Sequence, residues 1–338
     1  MTQRSKAELW LGAFAGFYRP DAEEVRGLDP VSRFLYSARS IILVISAQAA
    51  VIAMLLAAAD RRFDWFDAFL VLAGFVVAHM ISNLSNDWYG FRRGHDTPDS
   101  PRMRYTVHPM AREVLGARAF ATGFAILAAI GIAIMGYFLV ERGALAFAFA
   151  AAGIALLLLY DAAPIPLKSI GLGEIAVFLV WGPLMVGGGY AMITGRVSLN
   201  ALLVSVPYGF GVMSILVGKH IDQIDFDSGK GIRTLPVLLG ERAARMLNIA
   251  TVVSIYAVAA ALIAFGPLTP FAAAILVALP RAIRAVSVMK RSRPAAPPEG
   301  YVGWPLWYHR VCLEHNRLFG WMYILGVAAG AAWPAVRI

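Results

Sequence analysis

The chain of 338 residues contains one cysteine, Cys312, so no disulfide can form within it. Charged residues make up only 15% of the sequence, whereas about 25% is usual in soluble proteins. Cysteine and histidine do not cluster, so the sequence does not indicate a zinc site. The residues before position 40 have no continuous apolar core, and we expect no cleavable signal peptide there.

Most residues of the sequence are apolar. They account for 59% of the chain, and the mean hydropathy is +0.66. A helix needs about 20 mainly apolar residues to cross the hydrocarbon core of a membrane. Segments that approach this length are centred on residues 40–59, 65–84, 118–140, 144–160, 173–193, 200–218, 246–266, 268–288 and 318–336.

These segments predict an all-α, polytopic membrane protein with about nine transmembrane helices in one bundle. The eighth segment is interrupted in its second half by Pro280, Arg281 and Arg284. Residues 1–39 are predicted to form a cytoplasmic or interfacial segment, because their aromatic and apolar residues suit the headgroup layer. Residues 40–338 are then a single transmembrane domain.

The distribution of Lys and Arg predicts the orientation in the membrane, since positive residues in short loops stay on the cytoplasmic side. With a cytoplasmic N-terminus, all but five of the 30 basic residues fall on that side, and the C-terminus lies on the opposite side. The net charge of +9 therefore reflects topology, and no nucleic-acid module is present. We expect a bacterial inner-membrane protein. The five basic residues on the other face are Arg61, Arg62, Arg142, Arg196 and Arg337.

Two acidic segments each follow directly after a long apolar run. The first spans residues 86–99 and the second spans residues 219–227. Each comes after the second apolar segment of a four-segment unit, so we predict two related four-helix halves. Duplicated halves in membrane proteins often share one site at their interface. Both acidic segments would lie at the cytoplasmic edge of that interface.

Carboxylates grouped with Lys and Arg can hold Mg²⁺ together with the phosphate groups of a substrate. Asp96 and Asp99 are three residues apart, as are Asp222 and Asp225, so each pair shares one face if the backbone there is helical. The adjoining bundle can house an apolar tail. Together these features predict a lipid diphosphate site, whereas an acidic loop taken alone is usually only a solvated surface.

The sequence contains three ordered motifs: Asn86-Asp87 to Asp96-x-x-Asp99, Tyr160 to Lys168 with Gly171-Leu172-Gly173-Glu174, and Gly231 to Gly240. Together they resemble the motifs of the UbiA-type intramembrane prenyltransferases. The likeness spans residues 35–335 and is strongest to the branch that prenylates 1,4-dihydroxy-2-naphthoate in menaquinone synthesis. It implies a nine-helix bundle, Mg²⁺, a prenyl diphosphate donor and a lipophilic acceptor that is an aromatic or quinone precursor.

The chain departs from the family pattern at three positions. The first family motif usually has a further Asp where Gly90 stands here, and the second usually has Asn and Asp where Lys219 and Gln223 stand. Asp222 and Asp225 can substitute by a shifted register, and Lys219 can contact a phosphate directly. The number of metal ions, the acceptor, the prenyl chain length and the oligomeric state are left open by the sequence.

The resemblance implies that an allylic diphosphate ionises, that an acceptor carbon attacks the cation, and that pyrophosphate leaves. Each predicted role is assigned to residues of this chain. The predicted metal ligands are Asp87, Asp96, Asp99, Asp222, Asp225 and Asp227. The predicted diphosphate contacts are Asn86, Arg92, Arg93, Lys230 and Arg233. The predicted catalytic residues are Asp87, Asp222, Lys219, Tyr160 and Lys168, with Glu174 as a further acceptor contact.

Less specific interpretations of these residues stay open. Arg92 and Arg93 are equally consistent with topology determinants, Tyr160 with an interfacial aromatic, and Lys168 with a snorkelling cation. Two other function classes also place acidic residues in a membrane bundle. A secondary transporter would have its charges at the bilayer centre, and a CDP-alcohol-type phosphotransferase would show an Asp-Gly-x-x-Ala-Arg pattern, which this sequence lacks.

Overall fold

The computed structural model describes residues 5–15, 20–98, 100–105, 107–110, 113–161, 164, 166–301 and 303–333. Within these residues the chain is helical and forms no strand. The first eight helices are α1 (Lys6–Ala15), α2 (Ala22–Arg26), α3 (Pro30–Ser37), α4 (Val44–Ala59), α5 (Trp65–Arg92), α6 (Arg102–Tyr105), α7 (Ala117–Arg142) and α8 (Ala144–Asp161). The next eight are α9 (Gly173–Leu179), α10 (Gly188–Thr194), α11 (Leu199–Asp222), α12 (Ile224–Gly229), α13 (Leu235–Leu239), α14 (Glu241–Phe265), α15 (Leu279–Met289) and α16 (Tyr308–Ala332).

Eight segments of the described chain are long and apolar enough to cross a membrane. They coincide with the first eight predicted segments, which confirms the all-α, polytopic architecture. Helix α16 overlaps the ninth, but its first half carries Arg310, Glu314 and Arg317, so the count of nine stays a prediction. The eight segments are Ser40–Ala59, Trp65–Arg92, Ala117–Arg142, Ala144–Asp161, Gly173–Thr194, Leu199–Asp222, Glu241–Phe265 and Pro270–Met289.

Helix α11 lies in the largest core of the bundle, where it packs against α14, α16 and the fifth membrane segment. The contact with α16 is close, because a Cβ added at Gly218 would lie 3.0 Å from the backbone nitrogen of His309. Small residues allow such an approach between membrane helices. The close packing brings the end of α11 against the beginning of α16, which matters for the second acidic segment.

The fifth membrane segment is not a uniform α-helix. A π-helical stretch, Val180–Gly187, joins α9 to α10 and contains Pro183. Proline removes a backbone donor, and π-helical turns are common at functional sites. The glycines that follow allow close packing, since a Cβ at Gly188 would lie 2.7 Å from Phe149 and one at Gly189 would lie 3.0 Å from Ala53.

The eighth segment begins with a 3₁₀ helix, Pro270–Ala278, and continues as α15. Pro280 lies in the first turn of α15, where its missing N–H costs no helical hydrogen bond. The predicted interruption is thus a change of helix type.

The N-terminal segment packs on the bundle through α1. Leu9 and Ala13 are buried, and the indole of Trp10 donates a hydrogen bond to Ser32 Oγ at 2.9 Å. Leu11 and Phe14 point outward and are 61% and 42% exposed. An outward apolar face suits the membrane surface, so the predicted interfacial position stays a prediction with a matching geometry.

Candidate functional site

The first acidic segment begins on the last turns of α5, where Asp87 is completely buried. Arg102 donates to both of its carboxylate oxygens, from Nε at 2.9 Å and from a terminal nitrogen at 2.7 Å. Arg39 donates to the same carboxylate at 2.5 Å. A buried carboxylate requires such paired charges, since an unpaired one would lose several kcal/mol of hydration. Sequence reasoning selected Asp87 but missed both arginines.

Asp96 lies beyond the end of α5 and folds back over Gly90. A Cβ added at Gly90 would lie 2.2 Å from Asp96 Oδ2, so only glycine leaves room for this carboxylate. The backbone nitrogen of Asp96 donates to the Gly90 carbonyl at 3.2 Å. The Asp96 carboxylate therefore lies against the face of α5 at position 90. A carboxylate from the following loop thus occupies the place of the further Asp that the family resemblance implies there.

A buried histidine completes this group. Nε2 of His108 lies 3.2 Å from Asp96 Oδ2, and His108 is fully buried. Ligand atoms of Asp87, Asp96 and His108 all lie within 4.8 Å of one another. Sequence reasoning missed His108, because it lies in a loop without a recognisable spacing. Asp99, which was predicted with Asp96, lies outside the described residues.

The loop after α8 joins this group through Asp161. Asn86 donates to Asp161 Oδ2 at 2.8 Å, and Arg93 donates to the Asp161 carbonyl at 2.7 Å. Lys168 forms an ion pair with Asp161 Oδ1. Asp161 thus holds three of the predicted residues in place. It stands inside the Tyr160 to Lys168 motif, so the sequence contained the signal for it.

The same loop also reaches the second acidic segment. Ile170 forms an isolated parallel bridge with Arg233, whose nitrogen donates to the Ser169 carbonyl at 3.3 Å. Burial lowers the pKa of His95, and the positive charges of Lys168, Arg93 and Lys230 lower it further. Residues from both acidic segments and from the loop after α8 therefore share one electrostatic environment at one end of the bundle.

Asp227 is the buried carboxylate of the second acidic segment. Burial raises its pKa, an effect opposed by the nearby charges of His220, Lys219 and Lys168. Its Oδ2 is buried and has no hydrogen-bond partner among the described residues. An unpartnered buried oxygen is costly, and a bound cation would satisfy it. Asp227 is thus the carboxylate of this segment that best fits a metal ligand.

Asp222, in contrast, caps a helix. Its oxygens accept hydrogen bonds from the backbone nitrogens of Tyr308 at 3.0 Å and His309 at 2.9 Å, at the beginning of α16. Arg293 lies 3.9 Å from the same carboxylate. Both oxygens therefore stabilise the positive end of a helix dipole. Metal binding by Asp222 stays a prediction, and this cap makes Asp222 a poorer candidate than Asp227.

We expect Asp222→Ala to lower stability rather than chemistry. Losing the cap should cost about 1–3 kcal/mol, which a lower melting temperature in detergent would report. The rate per folded molecule should stay within about threefold of wild type, since that range corresponds to less than one hydrogen bond. Loss of activity at unchanged stability would return Asp222 to the set of metal ligands.

The other predicted residues are exposed, line a cavity or are buried. Asp225, Lys230, Arg233 and Arg92 are exposed at the surface of this end of the bundle. The guanidinium of Arg92 lies 5.5 Å from the ring centre of Trp88, and the ammonium of Lys230 lies 5.7 Å from that of Phe226. Tyr160, Lys219 and Asn86 instead line a cavity. Glu174 is buried and lies 2.7 Å from Nδ1 of His220.

The cavity has a volume of about 1020 Å³ and extends from this polar end into the bundle. At its polar end, the Tyr160 hydroxyl interacts electrostatically with Asp227, Glu174 and Arg39. On α5 its lining runs from Asn86 to Leu70, which is ~24 Å at 1.5 Å per residue. The deeper walls are apolar and aromatic; they include Phe75, Phe138, Phe149, Leu184 and Met192.

The chain, in which an acidic end joins a long apolar cavity, belongs to the UbiA prenyltransferase family. The family match covers residues 47–307. A Bacillus subtilis protein named 1,4-dihydroxy-2-naphthoate octaprenyltransferase is 27% identical over 61% of this chain and 65% of its own length. A Mycobacterium tuberculosis protein of the same name is 31% identical over 68% of this chain and 76% of its own length.

Solved structures show the same fold. A UbiA homologue from Archaeoglobus fulgidus, bound to DMAPP and Mg²⁺, superposes with a TM-score of 0.57 at 15% identity. The superposition covers 88% of this chain and 99% of that one. The chain thus spans nearly the whole of this structural relative, but slightly less than two thirds of the length of the Bacillus protein.

Proposed function

We propose that this protein is an intramembrane prenyltransferase that moves an isoprenyl group from a prenyl diphosphate to an aromatic or quinone-precursor acceptor and releases pyrophosphate. The observation that carries the proposal is the junction of the acidic end with the apolar cavity of about 1020 Å³. A prenyl diphosphate has the same two parts, a charged head and a hydrocarbon tail. The names of the Bacillus and Mycobacterium relatives favour 1,4-dihydroxy-2-naphthoate as the acceptor.

The metal we propose is Mg²⁺, which prefers carboxylate oxygens and keeps several waters. Asp96 would hold it at the first acidic segment, beside Asp87 and His108, and Asp227 would offer a buried carboxylate at the second segment. The donor set fits, because Asp227 Oδ2 is buried without a partner and Asp96 stands within 4.8 Å of Asp87 and His108. When bound, the metal neutralises the charge that develops on the departing diphosphate. Asp225 is exposed on the same short helix and is not needed as a ligand.

The basic residues of the chain would bind the same diphosphate. Lys168 and Lys219 act electrostatically on Asp227, and Lys230 and Arg93 act on His95, so four positive charges lie at the acidic end of the bundle. They lower the free energy of the pyrophosphate anion as it forms. Lys219 also lines the cavity, where it can reach a phosphate that enters from the polar end.

The walls of the cavity would protect the allylic cation from water. Tyr160, Phe75 and Trp181 line the cavity, and aromatic faces stabilise a nearby cation. The apolar lining excludes water, which would otherwise hydrolyse the cation. Tyr160 lies between the acidic end and the cavity, so we propose that it orients the acceptor or takes its proton.

The localisation follows from the same proposal. The chain is a multi-pass membrane protein by its eight apolar helices and its family. We propose that the N-terminus and the acidic end face the cytoplasm of a bacterium, because the basic residues are concentrated on that side. Soluble Mg²⁺ and prenyl diphosphates are then available to the site from the cytoplasm.

The test uses purified protein in detergent or nanodiscs with geranylgeranyl or longer diphosphates, Mg²⁺ and 1,4-dihydroxy-2-naphthoate. We expect release of pyrophosphate that depends on both metal and acceptor, together with a prenylated product identified by mass spectrometry. Chelation by EDTA should abolish the release, and added Mg²⁺ should restore it. Transfer to none of a panel of phenolic acceptors would contradict the proposal, and release of CMP from a CDP-alcohol would replace it.

A further inference from the structure

Helix α5 carries a stripe of polar residues that faces the cavity. His79, Ser82, Asn83 and Asn86 follow the i, i+3, i+4, i+7 spacing of one helical face, and all four line the cavity. Polar side chains are costly at membrane depth, and those that face an internal cavity usually mark the path of a substrate. The stripe therefore extends the polar part of the site below the acidic end.

The stripe ends at a small cluster of hydrogen-bonded side chains. Nδ1 of His79 lies 2.8 Å from Ser46 Oγ, and the indole of Trp181 donates to the same oxygen at 3.3 Å. The imidazole also meets the Trp181 ring edge to face, with 5.2 Å between ring centres. All three residues line the cavity, and His79 is only 8% exposed. These contacts fix the orientation of the imidazole.

The second imidazole nitrogen of His79 is available to a ligand. Across the described part of the chain, no hydrogen bond to Nε2 is found, although Nδ1 is paired with Ser46. A polar atom that lines a membrane cavity without a protein partner is expected to bind a substrate group or water. The pairing of Nδ1 keeps Nε2 directed away from Ser46.

The part of the cavity lining that α5 contributes changes from polar to apolar at the depth of His79. Asn86 lies seven positions after His79 on α5, a distance of ~10 Å along the helix axis. Beyond His79, the α5 residues that line the cavity are apolar and include Phe75, Gly74 and Val71. A prenyl tail has no polar group that could form a hydrogen bond with His79. If the cluster of His79, Ser46 and Trp181 binds a substrate, that substrate is therefore the acceptor.

We propose that His79, held by Ser46 and Trp181, binds an oxygen substituent of a hydroxylated aromatic acceptor ring. A hydroxyl both donates and accepts a hydrogen bond, so it matches Nε2 in either tautomer of the imidazole. The Trp181 ring offers an aromatic surface to the acceptor. The ring then fills the interval between His79 and Asn86, with its opposite edge towards the diphosphate. This inference rests on the proposed transfer to an aromatic acceptor.

The experiment replaces His79 by Phe, which keeps a ring of similar shape but removes the hydrogen bond. We expect His79→Phe to raise the KM for 1,4-dihydroxy-2-naphthoate about tenfold, the effect of one lost hydrogen bond. The KM for the prenyl diphosphate and the Mg²⁺ dependence should stay within about twofold. His79→Gln retains a donor and an acceptor and should recover part of the acceptor affinity.

The matched control is His315→Phe. His315 is another fully buried histidine of the bundle, bonded through Nε2 to the Tyr256 hydroxyl at 2.8 Å, and it does not belong to the residues that line the cavity. This variant should change stability but leave the acceptor KM unchanged. Calorimetric titration of the acceptor into donor-free protein gives a second readout, and binding should weaken for His79→Phe alone.

Two results would overturn the inference. One is an unchanged acceptor KM and acceptor affinity in folded His79→Phe and His79→Gln. The other is a raised KM for the prenyl diphosphate alone, which would assign the stripe to the prenyl chain. Failure of the proposed function is distinguishable from both, because wild-type protein would then show no acceptor-dependent release of pyrophosphate.

Discussion

Asp227→Asn is expected to lower the rate of pyrophosphate release by about 10²–10³-fold, the usual cost of removing one charge-stabilising group from a preorganised site. The amide is neutral and keeps only one oxygen, so it would hold a divalent cation poorly. Asp227 is buried and its Oδ2 has no protein partner among the described residues, which leaves that oxygen for the metal. The rate is measured with saturating prenyl diphosphate and acceptor, over a range of Mg²⁺ concentrations.

Stability should respond in the opposite direction. Burial raises the pKa of Asp227, so its ionised form destabilises the metal-free fold at neutral pH, and this cost disappears as the pH falls through the raised pKa. An amide carries no charge to bury. The melting temperature of metal-free Asp227→Asn is therefore expected to equal or exceed that of wild type, so a loss of rate cannot be attributed to unfolding.

Asp225→Asn is the matched control. Asp225 lies on the same short helix two residues earlier, but it is exposed. The same chemical change there should alter the rate by less than about threefold, because an exposed charge is screened by solvent. Equal losses in both variants would show that the second acidic segment acts through its total charge, and no loss in Asp227→Asn would remove Asp227 from the site.

Gly90→Ala is expected to weaken Mg²⁺ binding and lower the rate by about 10–100-fold, as is usual when a ligand is displaced by its surroundings. The added Cβ would lie 2.2 Å from Asp96 Oδ2. The Asp96 carboxylate is at the end of a flexible side chain and can move away from the added Cβ. The helix should therefore persist, while the distances from Asp96 to Asp87 and His108 increase. Titration with Mn²⁺, followed by its EPR signal, reports the affinity independently of activity.

A double variant tests whether a carboxylate at position 90 can replace the carboxylate of Asp96. In Gly90→Asp with Asp96→Ala, the acidic group comes from α5 itself, and the clash with Asp96 is removed. We expect this double variant to regain much of the Mn²⁺ affinity that Gly90→Ala loses. Failure to regain it, with the protein folded, would contradict the view that Asp96 replaces an acidic residue at position 90.

Gly136→Ala is the control for the backbone effect of replacing a helical glycine. Nothing lies within 4 Å of a Cβ added at Gly136 on α7. Alanine there should leave metal affinity unchanged and favour the helix by about 1 kcal/mol. A loss of Mn²⁺ affinity in this variant would mean that the effect at Gly90 is a general consequence of altering the bundle.

The position of the helices was predictable because hydropathy is a local property. Eight predicted segments match helices of the structure, although the second helix continues beyond its predicted end at residue 84 to Arg92. Even the interruption at Pro280 marks a real change of helix type. The π-helical stretch of the fifth segment was not predicted. Pro183 lies within it, and Gly188 and Gly189, which follow it, pack against Phe149 and Ala53, which are far away in the sequence.

The motifs indicated where the site lies but not what each carboxylate does. Asp222 and Asp227 look alike in the sequence, yet one accepts backbone hydrogen bonds from α16 and the other keeps a buried oxygen without a protein partner. Arg39 and Arg102 were missed because they approach Asp87 from other parts of the chain. The role of a carboxylate is set by its neighbours in space.

The sequence by itself determined a helical, membrane-embedded chain with its carboxylates gathered at one edge, because apolar length and charge distribution act through each segment separately. Only the tertiary structure decided that Asp96 occupies the space above Gly90, that Asp222 caps α16, and that His79 opens onto the cavity. These three features depend on which helices contact each other and how closely they pack. Contacts between segments that are distant in the sequence cannot be predicted from a local sequence pattern.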